Sequence, residues 1–133
     1  MILLDTHAAI WFTAADAMLG KQSEFLAREA LADDRLAVSA ISFWEIAMLT
    51  AKRRLQGIQS PGEQRNLIIS AGITELSITG EIALLAVELD GLHGDPADRF
   101  IAATAVAHDA TLMTADKRLL KWRHRLKRQN ASK

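Results

Sequence analysis

Short apolar runs alternate with longer segments of helical periodicity along this chain. Four of the apolar runs predict buried strands, because each is too short for a helix and is bounded by polar or turn residues. These runs are Ile2–Leu4, Leu36–Ser39, Thr74–Ile78 and Thr111–Thr114. The intervening segments place apolar residues at helical spacing and predict helices. Those helices span about 7–15, 24–33, 42–54, 63–71, 81–89 and 96–109.

Local signals set two of the helix starts. Ser42 and Glu45 have the spacing of a capping box, so we expect a helix to open at Ser42. Asp95 is followed by Pro96, and proline suits the first helical position because its missing N–H would have no partner there. The pair therefore predicts the start of the long helix before the last predicted strand.

This alternation favours an α/β fold. We expect a single domain with a mainly parallel central sheet of four or five strands and helices on both faces. The chain has 133 residues, half of them hydrophobic, which is enough to bury one core of ordinary size. In such sheets ligands bind beyond the carboxyl ends of the strands. Polar residues at those ends are therefore the first candidates for function.

Composition narrows the possible chemistry. The chain has no cysteine, so disulfides and thiolate catalysis are excluded, and a reducing cytoplasm is the expected location. The run Met1–Leu4 is too short for the core of a signal peptide, and no later apolar stretch approaches the length of a membrane span. We expect a cytoplasmic protein without a membrane partner.

Charge is distributed unevenly although the formal net charge is zero. After Asp116 all eight charged side chains are basic, whereas the chain up to Asp116 carries 16 acidic and 8 basic ones. Residues 121–133 therefore form a basic C-terminal tail, either part of the same domain or partly disordered. Leu119, Trp122 and Leu126 lie at helical spacing, which predicts a helix docked by one side. Attraction of the tail to phosphate backbones is the alternative.

Four carboxylates lie where a predicted strand ends or a predicted helix begins. They are Asp5, Glu45, Asp98 and Asp116. Each alone has a structural explanation as a cap, a dipole partner or a hydrogen-bond acceptor. Together they indicate one acidic site, in which charges roughly 5 Å apart would repel by on the order of 3 kcal/mol per pair at an effective dielectric near 20. A cation is therefore expected, and oxygen ligands favour Mg²⁺ or Mn²⁺ over zinc.

Other candidates have competing structural explanations. Asp95 is expected to cap a helix, and His7 to act as a cap or packing residue, since no histidine pair shows metal-ligand spacing. Trp11 and Trp44 fall on apolar helix faces and are expected in the core, although tryptophan can also stack on bases. A basic run ends the helix that carries Glu45 and suits either phosphate contacts or pairing with the helix dipole. Its members are Lys52, Arg53 and Arg54.

Four segments resemble the PIN-domain ribonucleases, and especially the VapC-like toxins of bacterial toxin–antitoxin pairs. In chain order they are Leu4–His7, Val38–Ala47, Asp95–Ala103 and Met113–Asp116. The similarity runs from Met1 to about Leu120, so residues 1–120 are expected to form a PIN-like nuclease domain. Four motifs in the right order are a more specific signal than any one of them.

The resemblance implies a Mg²⁺-dependent endoribonuclease, the toxin of a toxin–antitoxin pair, with Mn²⁺ as an alternative ion. Water would attack an RNA phosphodiester and leave 5′-phosphate and 3′-hydroxyl ends. The catalytic, metal-binding positions that the resemblance assigns are Asp5, Glu45, Asp98 and Asp116. It also places Thr6 and Thr114 as supporting hydroxyls. Arg99 would pair with a carboxylate or a phosphate, with solvent exposure as the alternative. The implied partners are RNA, a cognate antitoxin and a second copy of the chain.

Rival functions remain open. The chain could be a non-catalytic PIN-like binding domain, or a structure-specific DNA nuclease, because water activated by a metal does not need the ribose 2′-hydroxyl. A phosphatase of the haloacid-dehalogenase type would need a second acid two residues after Asp5, where His7 stands. The tail departs from the family, whose members commonly end in a further strand. Since residues 122–133 are strand-poor by composition, we expect that sheet edge to be missing or changed.

Overall fold

A computed structural model describes residues 1–55 and 60–133. The strands are β1 (Ile2–Leu4), β2 (Leu36–Ser39), β3 (Thr74–Leu76), β4 (Thr111–Thr114) and β5 (Arg128–Asn130). The helices are α1 (Thr6–Thr13), α2 (Lys21–Ala32), α3 (Ile41–Ala51), α4 (Pro61–Ser70), α5 (Gly80–Glu88), α6 (Pro96–Ala107) and α7 (Lys117–Lys121). Within the two described ranges, no helix is long and apolar enough to cross a membrane.

The strands form one sheet in the order β3-β2-β1-β4-β5, and every neighbouring pair is parallel. β1 lies at the centre, with Leu4 opposite Val38 on one side and Met113 on the other. The predicted α/β fold with a parallel sheet is therefore confirmed. Because all strands run the same way, the residues that follow β1 and β4 emerge at the same edge of the sheet.

Helices cover both faces of the sheet, as predicted. Successive residues of β1 point to opposite faces, so Leu3 and Leu4 belong to two different hydrophobic clusters. Leu3 packs with residues of α5 and α6, among them Ile82 and Ile101. Leu4 packs with residues of α1, α3 and α4. The chain thus buries a short strand on both sides, which is why β1 is entirely apolar.

One predicted helix start is confirmed and one is wrong. Asp95 caps α6 by accepting a hydrogen bond from the Asp98 amide at 3.2 Å, with Pro96 at the first position. By contrast, α3 begins at Ile41, and Ala40 precedes it without a side-chain cap. The capping box fails because the Ser42 hydroxyl is buried, where it accepts a hydrogen bond from Thr6 instead.

The basic tail corrects a second expectation. α7 ends at Lys121, and the chain then continues to β5, which pairs with β4 and completes the sheet edge that composition had suggested would be lost. Trp122 and Leu126 are buried as their spacing predicted, but not on a helix. The guanidinium of Arg128 donates to the carbonyls of Leu119, Trp122 and His124, and these hydrogen bonds stabilise the connection between α7 and β5.

Candidate functional site

The carboxyl edge of the sheet opens into a cavity of about 330 Å³. Its walls come from the ends of β1 and β4 and from helices α1, α3, α6 and α7. The lining residues are Asp5, Thr6, His7, Trp11, Glu45, Leu49, Asp95, Asp98, Ala115, Asp116 and Arg118. The structure therefore brings all four predicted acids to one cavity, together with a fifth, Asp95.

Asp5 occupies the deepest position, at the end of the central strand. Its side chain caps α1 by accepting a hydrogen bond from the Ala8 amide at 2.8 Å. The Thr114 hydroxyl donates to the other carboxylate oxygen across the β1–β4 pair. Burial raises the pKa of Asp5, and these two hydrogen bonds oppose the rise only in part. Asp5 is thus firmly positioned, but its charge is incompletely neutralised.

Glu45 lies in the second turn of α3 and faces the same cavity. Burial raises its pKa, and the nearby carboxylates of Asp98 and Asp95 raise it further, against the influence of the Thr6 hydroxyl. Thr6 also donates to Ser42 at 3.0 Å, which ties the start of α1 to the start of α3. Glu45 therefore stands in the cavity as a functional candidate rather than as half of a capping box.

Asp98 is held in the first turn of α6 by two neighbours. Asp95 accepts a hydrogen bond from its amide, and His93 Nε2 lies 2.7 Å from its Oδ2 atom. Burial raises the pKa of Asp98 and outweighs the hydrogen bond with His93. The other ring nitrogen, His93 Nδ1, is buried without a partner among the described residues. His93 therefore contacts the site through Nε2 alone.

The pKa of Asp116, unlike that of the other three acids, is lowered. It caps α7 by accepting from the amides of Arg118 and Leu119, and the Arg118 side chain folds back to 3.0 Å from its Oδ2 atom. Burial alone would raise the pKa of Asp116, but these hydrogen bonds outweigh it and lower the pKa. Asp98 also meets Arg118, at 3.4 Å, yet its pKa is raised because it is more deeply buried and farther from the guanidinium.

The donor set fits a hard divalent cation. Ligand atoms of His93, Asp98 and Asp116 lie within 4.8 Å of one another, which is close enough to coordinate one ion. Asp5 and Glu45 line the same cavity, where the charge of Glu45 adds to the raised pKa of Asp5 and the charge of Asp98 adds to that of Glu45. Burial raises the pKa of one buried carboxyl, Asp5, and of two partly buried ones, Glu45 and Asp98, and a cation bound among them would stabilise their charged forms.

The supporting residues divide into two groups. Thr6 and Thr114 lie beside the acids, as described above. Arg99 does not meet a carboxylate; its guanidinium donates to five backbone carbonyls at the end of α5 and in the following loop. This contact pattern differs from both expectations for Arg99, because a fork of five donors matches a set of carbonyls that the helix end leaves unpaired. The exposed residues Lys52, Arg53 and Arg54 are not among the described lining of the cavity.

The two tryptophans near the site differ in exposure. Trp11 packs one side against the core and lines the cavity with the other, with the His7 ring 6.0 Å away. Trp44 is 48% exposed, so its expected place in the core was wrong. The hydrophobic spacing of α3 did not reveal this, because Trp44 adjoins residues that do face the core.

Two residues at the site were missed from the sequence: His93, which contacts Asp98, and Arg118, which lines the cavity. His93 has no histidine or cysteine partner at ligand spacing, and its link to Asp98 depends on the loop between α5 and α6. Arg118 is one of the eight basic residues after Asp116, and the sequence did not single it out as a site residue. The one local signal for Arg118 was its position two residues after Asp116, which is within reach of a side chain that caps a helix start.

Comparison with known proteins gives concordant matches. The model of the PIN domain family matches residues 2–124. Ribonuclease VapC22 of Mycobacterium tuberculosis (strain ATCC 25618 / H37Rv) is 37% identical over 124 residues, which cover 92% of each chain. A chain in the crystal structure of VapBC2 from Rickettsia felis, bound to a DNA fragment from their promoter, shares the fold with a TM-score of 0.70 and 21% identity over 98% of both chains. FitAcB from Neisseria gonorrhoeae gives a TM-score of 0.66 and 21% identity over 98% of both chains.

Proposed function

Because the chain belongs to the PIN-domain family, we propose that it is a metal-dependent endoribonuclease acting as the toxin of a toxin–antitoxin pair. The observation that carries the proposal is the convergence of Asp5, Glu45, Asp98 and Asp116 on one cavity. Three of these carboxyls have raised pKa values. Stable folding alone would not favour so much uncompensated charge in one place.

Asp5, Glu45, Asp98 and Asp116 would hold Mg²⁺ or Mn²⁺ in the cavity that they line. The chemistry that such an ion supplies is polarisation of the phosphoryl oxygens and activation of a water molecule. Attack of water on phosphorus, with the 3′-oxygen leaving, gives a 5′-phosphate and a 3′-hydroxyl. The ribose 2′-hydroxyl takes no part in this displacement.

The chain's own residues position the reacting groups. Thr114 and the Ala8 amide fix both oxygens of Asp5, and His93 fixes Asp98. Arrangement of charged groups before the substrate arrives lowers the reorganisation that the reaction would otherwise need. Trp11 and Leu49 also line the cavity, where the Trp11 ring can stack on a base next to the cleaved phosphate.

The comparisons support the partner part of this proposal without showing it for this chain. VapBC2 was crystallised bound to a DNA fragment from their promoter. A further neighbour is described as a toxin–antitoxin complex from Klebsiella pneumoniae, with a TM-score of 0.59. By analogy we propose that a cognate antitoxin binds this chain, that the chain forms a homodimer, and that both act in the cytoplasm.

The test is cleavage of RNA by purified protein and its carboxylate variants. Total RNA and a single-stranded DNA of the same base composition are incubated with excess Mg²⁺ or with EDTA, and the cut ends are mapped. We expect RNA to be cut with Mg²⁺ only, and Asp5→Asn and Asp98→Asn to lose at least about 100-fold in rate, since each removes a charge that acts in the transition state.

Asp34→Asn is the matched control. It makes the same chemical change at an exposed position whose positive φ of 55° suits asparagine. Cleavage that persists in EDTA, or in Asp98→Asn, would refute the metal mechanism. Preferential cutting of the DNA would instead identify a DNA nuclease, and absence of any cutting a binding domain.

A further inference from the structure

The cavity that gathers the acids also contains a guanidinium. Among the described lining residues Arg118 is the one lysine or arginine. Its Nη2 atom lies 3.0 Å from Asp116 Oδ2 and 3.4 Å from Asp98 Oδ2, so it bridges carboxylates on two different elements. The bridge spans 20 residues of sequence and joins the start of α7 to the first turn of α6.

The backbone directs Arg118 toward this place. Asp116 caps α7 by accepting from the amide of Arg118 itself, at 2.7 Å. The same carboxylate therefore binds both the backbone and the side chain of one residue. The resulting hydrogen bonds raise the pKa of the Arg118 guanidinium and lower that of Asp116.

Arg118 contacts two of the three side chains that could hold a cation. Asp98 and Asp116 supply ligand atoms to the group that could grip one ion, and Arg118 touches the Oδ2 atom of both. A guanidinium and a divalent ion cannot share these oxygens without strong repulsion. Binding of the ion therefore favours withdrawal of the guanidinium.

We propose that Arg118 is an internal counter-ion of the metal site, which bridges Asp98 and Asp116 in the metal-free protein and is displaced from Asp98 when the ion binds. The inference rests on the proposed function, because it needs a metal site. In the resting protein Arg118 keeps the two carboxylates together, and it sets a lower metal affinity than the bare acids would have.

The surroundings of Arg118 permit this exchange. Its side chain is 57% exposed, so the guanidinium can swing into water without opening the core. Arg99 is the contrasting case, because its five bonds to backbone carbonyls fix it in place. The long 3.4 Å contact with Asp98 is weaker than the 3.0 Å contact with Asp116, so it is the one expected to break first.

Mn²⁺ binding to the full-length protein, measured by titration calorimetry, tests the proposal. We expect Arg118→Gln to bind Mn²⁺ on the order of 10-fold more tightly, from the repulsion between a divalent and a monovalent cation about 5 Å apart in water-like screening. Lys117→Gln is the matched control, because it removes the same charge from an exposed neighbour on the same helix. Its effect should stay within about 2-fold.

A second variant distinguishes loss of the guanidinium from a general loss of folding. Arg118→Lys keeps the charge but lacks the planar fork, so its affinity should lie between those of the wild type and Arg118→Gln. Thermal melting in EDTA and with Mn²⁺ gives an independent readout, in which the Mn²⁺-induced rise in Tm should be larger for Arg118→Gln than for the wild type.

Equal or weaker Mn²⁺ binding by Arg118→Gln would overturn the proposal, as would an equal gain in Lys117→Gln, which would reveal a general charge effect. If the wild type binds Mn²⁺ and cuts RNA, and Arg118→Gln binds Mn²⁺ with the same affinity as the wild type, the counter-ion role of Arg118 is refuted but the proposed function is not. If the wild type binds no divalent ion, the proposed function fails with it.

Discussion

The Thr114 hydroxyl donates a hydrogen bond to the buried carboxylate of Asp5, which lies 109 residues away in the sequence. The contact exists because β1 and β4 are neighbours in the sheet, with Leu4 opposite Met113. It joins the two central strands at the floor of the acidic cavity. Since it stabilises the charged form of Asp5, its loss should affect the ionisation of the site as well as the fold.

We therefore expect Thr114→Val to cost about 1.5–3 kcal/mol of unfolding free energy, the usual range for a hydrogen bond to a charged group. The pKa of Asp5 should rise further without this hydrogen bond, so the acidic limb of the kcat/KM profile for RNA cleavage should move to higher pH. Urea unfolding and a pH profile measure the two effects.

Thr104→Val is the control for that change. Thr104 is fully buried, and its hydroxyl donates to the Phe100 carbonyl within α6, away from the cavity. It should lose stability without any shift of the pH profile. An unshifted profile in Thr114→Val would show that this hydroxyl has only a structural role.

Arg99 is expected to support the site through the loop that carries His93. Arg99→Met removes five donors from carbonyls of Ala86, Val87, Leu89, Leu92 and His93. Several partly buried acceptors would lose their partners, so we expect a loss of about 2–4 kcal/mol in unfolding free energy, measured by urea titration. The exposed Arg123 provides the control, and Arg123→Met should change stability by less than about 0.5 kcal/mol. Comparable losses in the two variants would contradict this role.

The metal-free protein should gain stability from its raised carboxyl pKa values as the pH falls from 7 toward 4.5. Burial raises the pKa of Asp5, Glu45 and Asp98 above their ordinary values of 3.8, 4.5 and 3.8. Between those values and the raised ones, the folded protein binds more protons than the unfolded chain, so this contribution grows on acidification. The lowered pKa of Asp116 acts in the opposite sense, but its stabilisation is lost only below 3.8.

Glu45→Gln isolates this effect, because it removes one of the three charges. In EDTA at pH 7 we expect its Tm to exceed that of the wild type by about 2–4 °C, with a smaller difference at pH 5. The exposed Glu29 serves as the comparison, and Glu29→Gln should shift Tm little at either pH. A Tm for Glu45→Gln below that of the wild type at pH 7 would show that the Glu45 charge is already compensated in the folded protein.

Trp11 should contribute to RNA binding, whereas Trp44 should not. Trp11 lines the cavity beside the acids, and Trp44 is exposed but is not among the described lining residues. In an Asp98→Asn background that prevents cleavage, Trp11→Leu should weaken binding of a short single-stranded RNA by about 1–3 kcal/mol, the usual worth of one stacked base. Fluorescence anisotropy measures this loss, with Trp44→Leu as the matched exposed control. Equal losses in both variants, or none in Trp11→Leu, would rule out stacking on Trp11.

The central strands and the start of α6 were predictable because their signals are local. Ile2–Leu4 is apolar throughout, and Asp95 with Pro96 defines the start of α6 within a few residues. β5 escaped prediction because Arg128, Gln129 and Asn130 are polar. They form a strand because β4 offers a free edge, with Thr114 opposite Asn130. Amino-acid composition indicates the secondary structure that a segment prefers in isolation. It does not include the hydrogen bonds that a neighbouring strand provides.

The sequence by itself determined the alternation of strands and helices, the placement of four acids at segment ends, and the resemblance of its motifs to one family. Only the tertiary structure decided which side chains touch within the site. Thr114 reaches Asp5, His93 reaches Asp98, and Arg118 bridges Asp98 and Asp116. Periodicity and capping depend on residues a few positions apart, whereas these contacts depend on strand order and helix docking, which bring distant parts of the chain within hydrogen-bonding distance.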